Sequence, residues 1–142
     1  MDARQIAIVQ ESFEKVRPIA AVAADLFYGK LFELDPQLKS LFRGDMKEQG
    51  RMLMSVIASA VRSLSAPAPL VPALKDMGKR HVAYGVREHH YATVGTALLW
   101  TLEQGLGDDF TPELRAAWTA TYTLLAGVMQ EGAREFHLAQ AA

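Results

Sequence analysis

The sequence predicts an all-α fold, and three observations carry that prediction. Apolar residues recur at the three-and-four spacing of a helix face through every long segment. No stretch shows the period-two alternation of a convincing strand, and there is no internal repeat or low-complexity tract. Prolines, glycines and short polar residues stand between the periodic segments, where helices start and stop. Together they give about six long helices plus short turns. With 142 residues, 50% of them hydrophobic, the chain is long enough for one core and reads as a single domain over residues 1–142.

In chain order, Ile6, Val9, Phe13 and Val16 mark an amphipathic first helix that stops near Pro18, itself a good opening residue for the next. In the second helix Ala20, Ala24, Phe27, Tyr28, Leu31 and Phe32 share a face. It ends before Asp35-Pro36, because the residue preceding a proline is driven out of the helical region. Tyr28 stands out as a phenol among apolar neighbours, whose hydroxyl needs a partner if buried. A short turn from Pro36 to Phe42 leads to Arg43-Gly44, and Asp45 with Glu48 forms an acidic capping box that opens a third helix. Gln49, Leu53, Val56, Ile57, Ala60 and Val61 line its inner face. Gln49 is the only amide on that stripe, and it lies in the first turn, where helix ends fray. Its side chain is either an adjustable gate or clamped by the short loop before it.

Ser63 to Pro69 reads as a loop. The segment from Leu70 to Val86 then places Leu70, Leu74, Met77, Gly78 and His81 on one stripe, with Lys75, Asp76, Lys79 and Arg80 on the other sides and Gly85 as a left-handed stop. His81 faces inward. Arg87 to Tyr91 opens a fifth helix whose inner face carries Tyr91, Val94, Leu98 and Leu102, and Leu106 to Asp109 closes it. Thr111-Pro112-Glu113 is a strong start signal: a hydroxyl cap, a proline at the first helical position and an acid in the first turn. The last helix runs through Leu114, Trp118, Thr121, Tyr122, Leu125, Val128 and Met129 and fades near His137.

Composition removes several kinds of chemistry. Formal net charge is -1 and the basic residues are scattered, which argues against nucleic-acid binding. There is no cysteine, so disulfides and zinc-thiolate sites are excluded. Neither a signal core nor a membrane span is evident, and the expected location is the cytoplasm. Phosphate-binding glycine loops, paired catalytic carboxylates and nucleophile triads are absent. His89 and His90 are adjacent, and on a helix they should point to different faces, which disfavours chelation by the pair. What remains is an inward imidazole, an inward phenol and an inward amide on three separate helices. Each needs a hydrogen-bond partner, so three unrelated core residues of this kind are costly. An imidazole on an apolar face beside two cations suits a buried metal with a flat, anionic cofactor.

The residues Leu26-Phe27-Tyr28, Leu41-Phe42, Gln49 with Arg51 and Leu53, Lys79-Arg80-His81 through Tyr84-Gly85-Val86, His90-Tyr91 with Val94-Gly95, and Ala117-Trp118 occur in this order along nearly the whole chain. In this the sequence resembles bacterial single-domain haemoglobins and the globin domain of flavohaemoglobins, and more distantly neuroglobin. The glutamine-to-histidine and tyrosine-to-phenylalanine separations also match those of flavohaemoglobins. The resemblance implies a globin fold with haem b held between distal and proximal helices, His81 as the proximal iron ligand and Phe42 packed on the porphyrin. It places Tyr28 and Gln49 on the distal side with Leu53 closing the pocket, and Met77, Arg80 and Val86 among the haem-contacting residues. Nδ1 of His81 should donate to the carbonyl of Met77, and Lys79 or Arg80 should reach a haem propionate.

The implied ligands are oxygen, carbon monoxide and nitric oxide. The implied activity is reversible oxygen binding, with nitric oxide dioxygenation if a separate reductase supplies electrons; the alternative is storage or sensing without turnover. Tyr91 matches a proximal tyrosine that in flavohaemoglobins links the histidine to a last-helix glutamate. Here that glutamate's place falls on Ala133, with Glu131 and Glu135 two residues away on the wrong face. No flavin domain follows in this sequence, so the reductase is expected to be a separate partner.

Overall fold

The computed structural model describes residues 1–141 and shows six α-helices: α1 (Ala3–Val16), α2 (Ala20–Leu34), α3 (Met46–Arg62), α4 (Val71–Ala83), α5 (Glu88–Leu106) and α6 (Pro112–Ala141). Side-chain caps open α1, α3 and α6, and a proline or glycine follows the ends of α2, α4 and α5. Short 3-10 turns precede α2, α4 and α6, and one over Pro36–Leu41 follows α2. No strand occurs among the described residues, and none of the described helices is long and apolar enough to cross a membrane. The all-α reading is borne out. Two boundaries extend beyond it. Asp2 accepts from the Gln5 amide at 2.8 Å while Gln5 returns a bond to the Asp2 amide, starting α1 three residues before Ile6. At the other end α6 continues past His137 to Ala141.

The acidic box at Asp45 is half made. Asp45 accepts from the Lys47 amide at 2.9 Å, but Glu48 turns outward to Arg51. Asp35 does cap the turn after α2, accepting from the Gln37 amide at 3.1 Å, and Thr111 accepts from the Leu114 amide at 3.2 Å. Gly85 ends α4 with φ +95, a conformation that L side chains rarely adopt, and the Val86 amide then closes onto the His81 carbonyl at 2.9 Å.

Two apolar clusters fill the interior. One gathers Val9, Phe13, Val61, Leu102, Ala117 and Trp118 from α1, α3, α5 and α6. Trp118 is 1% exposed there, and its indole N–H donates to Ser12 Oγ at 2.9 Å. The other gathers Phe27, Tyr28, Leu31, Leu38 and Ala97, with Phe42, Leu53 and Val94 packed against them.

Glycines set how closely the helices approach. A Cβ on Gly78 would overlap the Met129 carbonyl, and one on Gly132 would overlap the Lys75 carbonyl, so α4 and α6 touch backbone to backbone at two points. The pairing of 78 with 129 and 75 with 132 makes them antiparallel. Outside the crossing, Lys75 Nζ bridges Glu131 at 3.3 Å and Glu135 at 2.9 Å. A Cβ on Gly50 would lie 2.9 Å from Ala24 Cβ, so α3 meets α2 one residue from Gln49 and one turn from Tyr28.

Candidate functional site

The contact of α2 with α3 brings the phenol and the amide together. Tyr28 is 8% exposed and sits among rings: Phe27 at 5.0 Å and Phe42 at 5.4 Å, both edge-on, with Phe32 at 6.1 Å. Its hydroxyl donates to the backbone carbonyl of Gln49 at 3.5 Å, the long limit of a hydrogen bond and therefore a weak one. Burial pushes the phenol up to about 12, with the Gln49 side chain opposing the shift, so Tyr28 is a proton donor at neutral pH. The Gln49 amide N–H is bound to the Asp45 carbonyl at 3.0 Å. The backbone of Gln49 is thus tied on both sides. Phe42 and Leu53, both half-buried, join Tyr28 in the same cluster.

On α4 the inward stripe is as expected. Leu74 and Gly78 are buried, and Met77 and His81 are half-buried. Burial holds the His81 imidazole below its ordinary value; the nearby Met77 carbonyl works the other way, and Arg80 adds to the lowering. The ring is therefore neutral at pH 7. The Met77 carbonyl is close enough to affect the ring, yet Nδ1 is buried without any hydrogen bond of acceptable geometry. The expected bond is approached and not made to hydrogen-bond criteria. Since His81 has a lower pKa folded than unfolded, the unfolded chain takes up more protons on acidification. Stability of the haem-free protein is expected to be complete above the ordinary histidine pKa of 6.5 and to fall as pH drops below it. A pH series of urea midpoints checks this, and replacing His81 with Phe should flatten that part of the curve.

The corner after α4 carries Val86, half-buried, and leads into α5 and Tyr91. Val86 and Tyr91 line a cavity of about 500 Å³ together with Gln130, Ala133 and Arg134. Tyr91 Oη is buried and has no partner. No carboxylate approaches it from α6, because Ala133 occupies that wall and Glu131 and Glu135 are engaged with Lys75. Tyr122 ties the two helices instead. Its ring packs over Gly95, and its hydroxyl donates to the Tyr91 carbonyl at 2.6 Å. The tip of Leu41 lies 3.2 Å from where a Gly85 Cβ would stand, so the corner before α3 meets the end of α4.

The two cations lie on the polar side of α4 as expected, and the two histidines depart from the expected divergence. Arg80 is exposed and pairs with Asp76 one turn back at 3.1 Å, while Lys79 is exposed. His89 and His90 do not diverge: their ring centroids are 4.2 Å apart. Both sit in the first turn of α5, where His90 folds back so that Nδ1 accepts from the Arg87 amide at 2.9 Å. Gly50, Gly78 and Gly132, which set the helix approaches around the site, carry no hydrophobic signal and were not singled out as site residues.

Iron porphyrin fits these residues. His81 offers a neutral imidazole with an orphaned buried Nδ1, Tyr91 offers an orphaned hydroxyl, and Phe42, Leu53, Met77 and Val86 are apolar yet only half-buried. These are the donor set and the flat apolar contacts such a cofactor requires.

The Globin family model matches residues 25–129. The chain is similar to the Flavohemoprotein of Chromobacterium violaceum, 36% identical over 107 residues that cover 72% of this chain and 26% of that protein. It is also similar to the Flavohemoprotein of Rhodopirellula baltica, 31% identical over 135 residues, covering 92% of this chain and 33% of that one. The chain thus spans about a quarter to a third of the relatives it matches. Among solved structures, an engineered carbene transferase built on a proposed nitric oxide dioxygenase from Rhodothermus marinus superposes with a TM-score of 0.90 at 25% identity, over 100% of this chain and 99% of that one. A bacterial globin from Campylobacter jejuni shares the fold with a TM-score of 0.85 at 22% identity, over 96% and 99% of the two chains. Six helices in this packing, the order of the site residues along them and the match of most of the chain lead to one conclusion: the chain belongs to the globin family.

Proposed function

We propose that this protein is a haem-b globin that binds oxygen reversibly, admits carbon monoxide and nitric oxide to the same pocket, and turns oxygen and nitric oxide into nitrate when a reductase partner supplies one electron per nitrate formed. The observation that carries the reading is the meeting of Tyr28 and Gln49 inside an apolar wall, where a phenolic donor is left with only a 3.5 Å contact. His81 would hold the iron; Phe42, Leu53, Met77 and Val86 would pack against the porphyrin. Haem supplies a reducible iron to which diatomic gases bind. Tyr28 exchanges its long contact with the Gln49 carbonyl for a hydrogen bond to the gas, and the surrounding rings keep water out, which strengthens that bond. The Gln49 side chain adjusts at the start of α3 while Tyr28 stays fixed by packing. The name Flavohemoprotein borne by the relatives supports haem and a flavin-bearing electron donor, and the nitric oxide dioxygenase named for the Rhodothermus marinus structure supports the nitric oxide reading.

Storage is the second reading, and Ala133 favours it. With no α6 carboxylate at Tyr91, the histidine lacks the acid that would increase electron density at iron. Nitric oxide consumption by the reduced protein under air, with a reductase present, separates the two: steady nitrate formation supports turnover, and a single stoichiometric burst supports storage.

Tyr28→Phe is expected to speed oxygen dissociation by about 5-fold to 150-fold, from roughly 1 to 3 kcal/mol for a buried bond to a partly charged acceptor. Carbon monoxide, less polar when bound, should respond less. Stopped-flow dissociation of both gases measures this, and equal effects on the two would remove the distal hydrogen bond from the account.

A further inference from the structure

We infer that Asp35, His89 and His90 form a second, surface metal site that takes a divalent transition ion of the zinc type and ties the end of α2 to the start of α5. One ligand atom from each of the three residues lies within 4.8 Å of the other two. Zinc bonds of about 2.0–2.2 Å in a tetrahedron put ligand atoms roughly 3.3–3.6 Å apart, so closing the site needs side-chain shifts of about 1 Å. The exposed His89 ring can supply such a shift. His90 Nε2 already stands 3.9 Å from Asp35 Oδ2.

The ligands are held for the task by different means. Asp35 precedes Pro36 and is extended, and its Oδ1 is used by the Gln37 amide, which leaves Oδ2 turned to the histidines. Its side chain is 25% exposed, and its one ion-pair contact within 4 Å among the described residues is with His90, itself 12% exposed. Burial and the neighbouring His89 keep the His90 ring neutral, opposed only by Asp35, with Arg87 adding to the lowering. A neutral imidazole is a ligand and not an ion-pair partner, and with Nδ1 accepting from the Arg87 amide its proton sits on Nε2. Coordination through Nε2 moves the ring proton to Nδ1, so His90 gives up its bond from the Arg87 amide. That amide lies at an exposed helix start, where water replaces the lost acceptor.

Two imidazoles and one carboxylate leave a fourth position for water. This set suits zinc, copper or nickel, and it excludes the oxygen-preferring magnesium and calcium. The tie joins the segment after the Tyr28 helix to the helix that carries Tyr91.

The test is calorimetric titration of zinc chloride into the haem-loaded, chelator-washed full chain, with thermal unfolding in parallel. One zinc per chain is expected, with a rise in melting temperature. Affinity should fall by at least about tenfold in each of His89→Ala, His90→Asn and Asp35→Asn. The two asparagines retain an acceptor for the Arg87 and Gln37 amides, and His89 is exposed, so folding is preserved and an unchanged Soret spectrum verifies it. His137→Ala should bind zinc as the parent does. Absence of saturable binding at about 100 micromolar zinc, or affinity unchanged in all three variants, would overturn the site.

Discussion

His81→Ala is expected to lose haem more than about 100-fold faster than the parent protein, the largest effect of any single change in the site. Removing an outer partner of a metal-bound histidine costs about 10- to 100-fold, so removing the ligand itself costs more. No other histidine can take over. His89 and His137 are exposed, and His90 is turned back on the Arg87 amide. Haem transfer to an excess of apomyoglobin measures the rate, and added imidazole should restore a histidine-type spectrum by filling the vacated space. A His81→Ala protein that keeps a five-coordinate histidine-type ferrous spectrum without imidazole would sink the assignment.

Gly78→Ala should destabilise the protein by about 3 kcal/mol or more, at or beyond the upper end of ordinary overpacking. A methyl there overlaps the Met129 carbonyl, which is backbone and cannot rotate aside. The helices must separate, and the second contact at Gly132 against Lys75 opens with them. Because His81 lies three residues beyond Gly78 on the same stripe, haem affinity should fall together with stability. Thermal unfolding and haem transfer check both. An exposed control, Gly29→Ala, meets nothing within 4 Å and should be neutral or slightly stabilising. Unchanged unfolding in Gly78→Ala would mean that α4 and α6 do not touch backbone to backbone.

The helical periodicity was enough to find every long helix, because each buries an apolar stripe. It also brought out Tyr28, Gln49 and His81, since a polar group on such a stripe is conspicuous. The approach distances were not legible. Gly50, Gly78 and Gly132 act through the absence of a side chain against a partner far along the chain, and a pattern of apolar residues cannot register that. The closeness of the His89 and His90 rings was not legible for a related reason: ideal spacing describes the middle of a helix, whereas a side chain in the first turn folds back onto free amides. The half-made box at Asp45 shows the same competition, with Glu48 taking Arg51 in place of the amide. Spacing places His81 one turn after Met77 but does not fix whether its ring nitrogen meets that carbonyl, and here Nδ1 has no partner.

Absorption spectroscopy of the haem-loaded protein, reduced without air and then exposed to oxygen, bears most directly on the proposed gas-binding site. A Soret band, a ferrous spectrum typical of histidine ligation and a new spectrum on adding air that fades slowly, and faster in Tyr28→Phe, are expected. A protein that takes up no haem, or one whose reduced spectrum does not respond to oxygen, would contradict it.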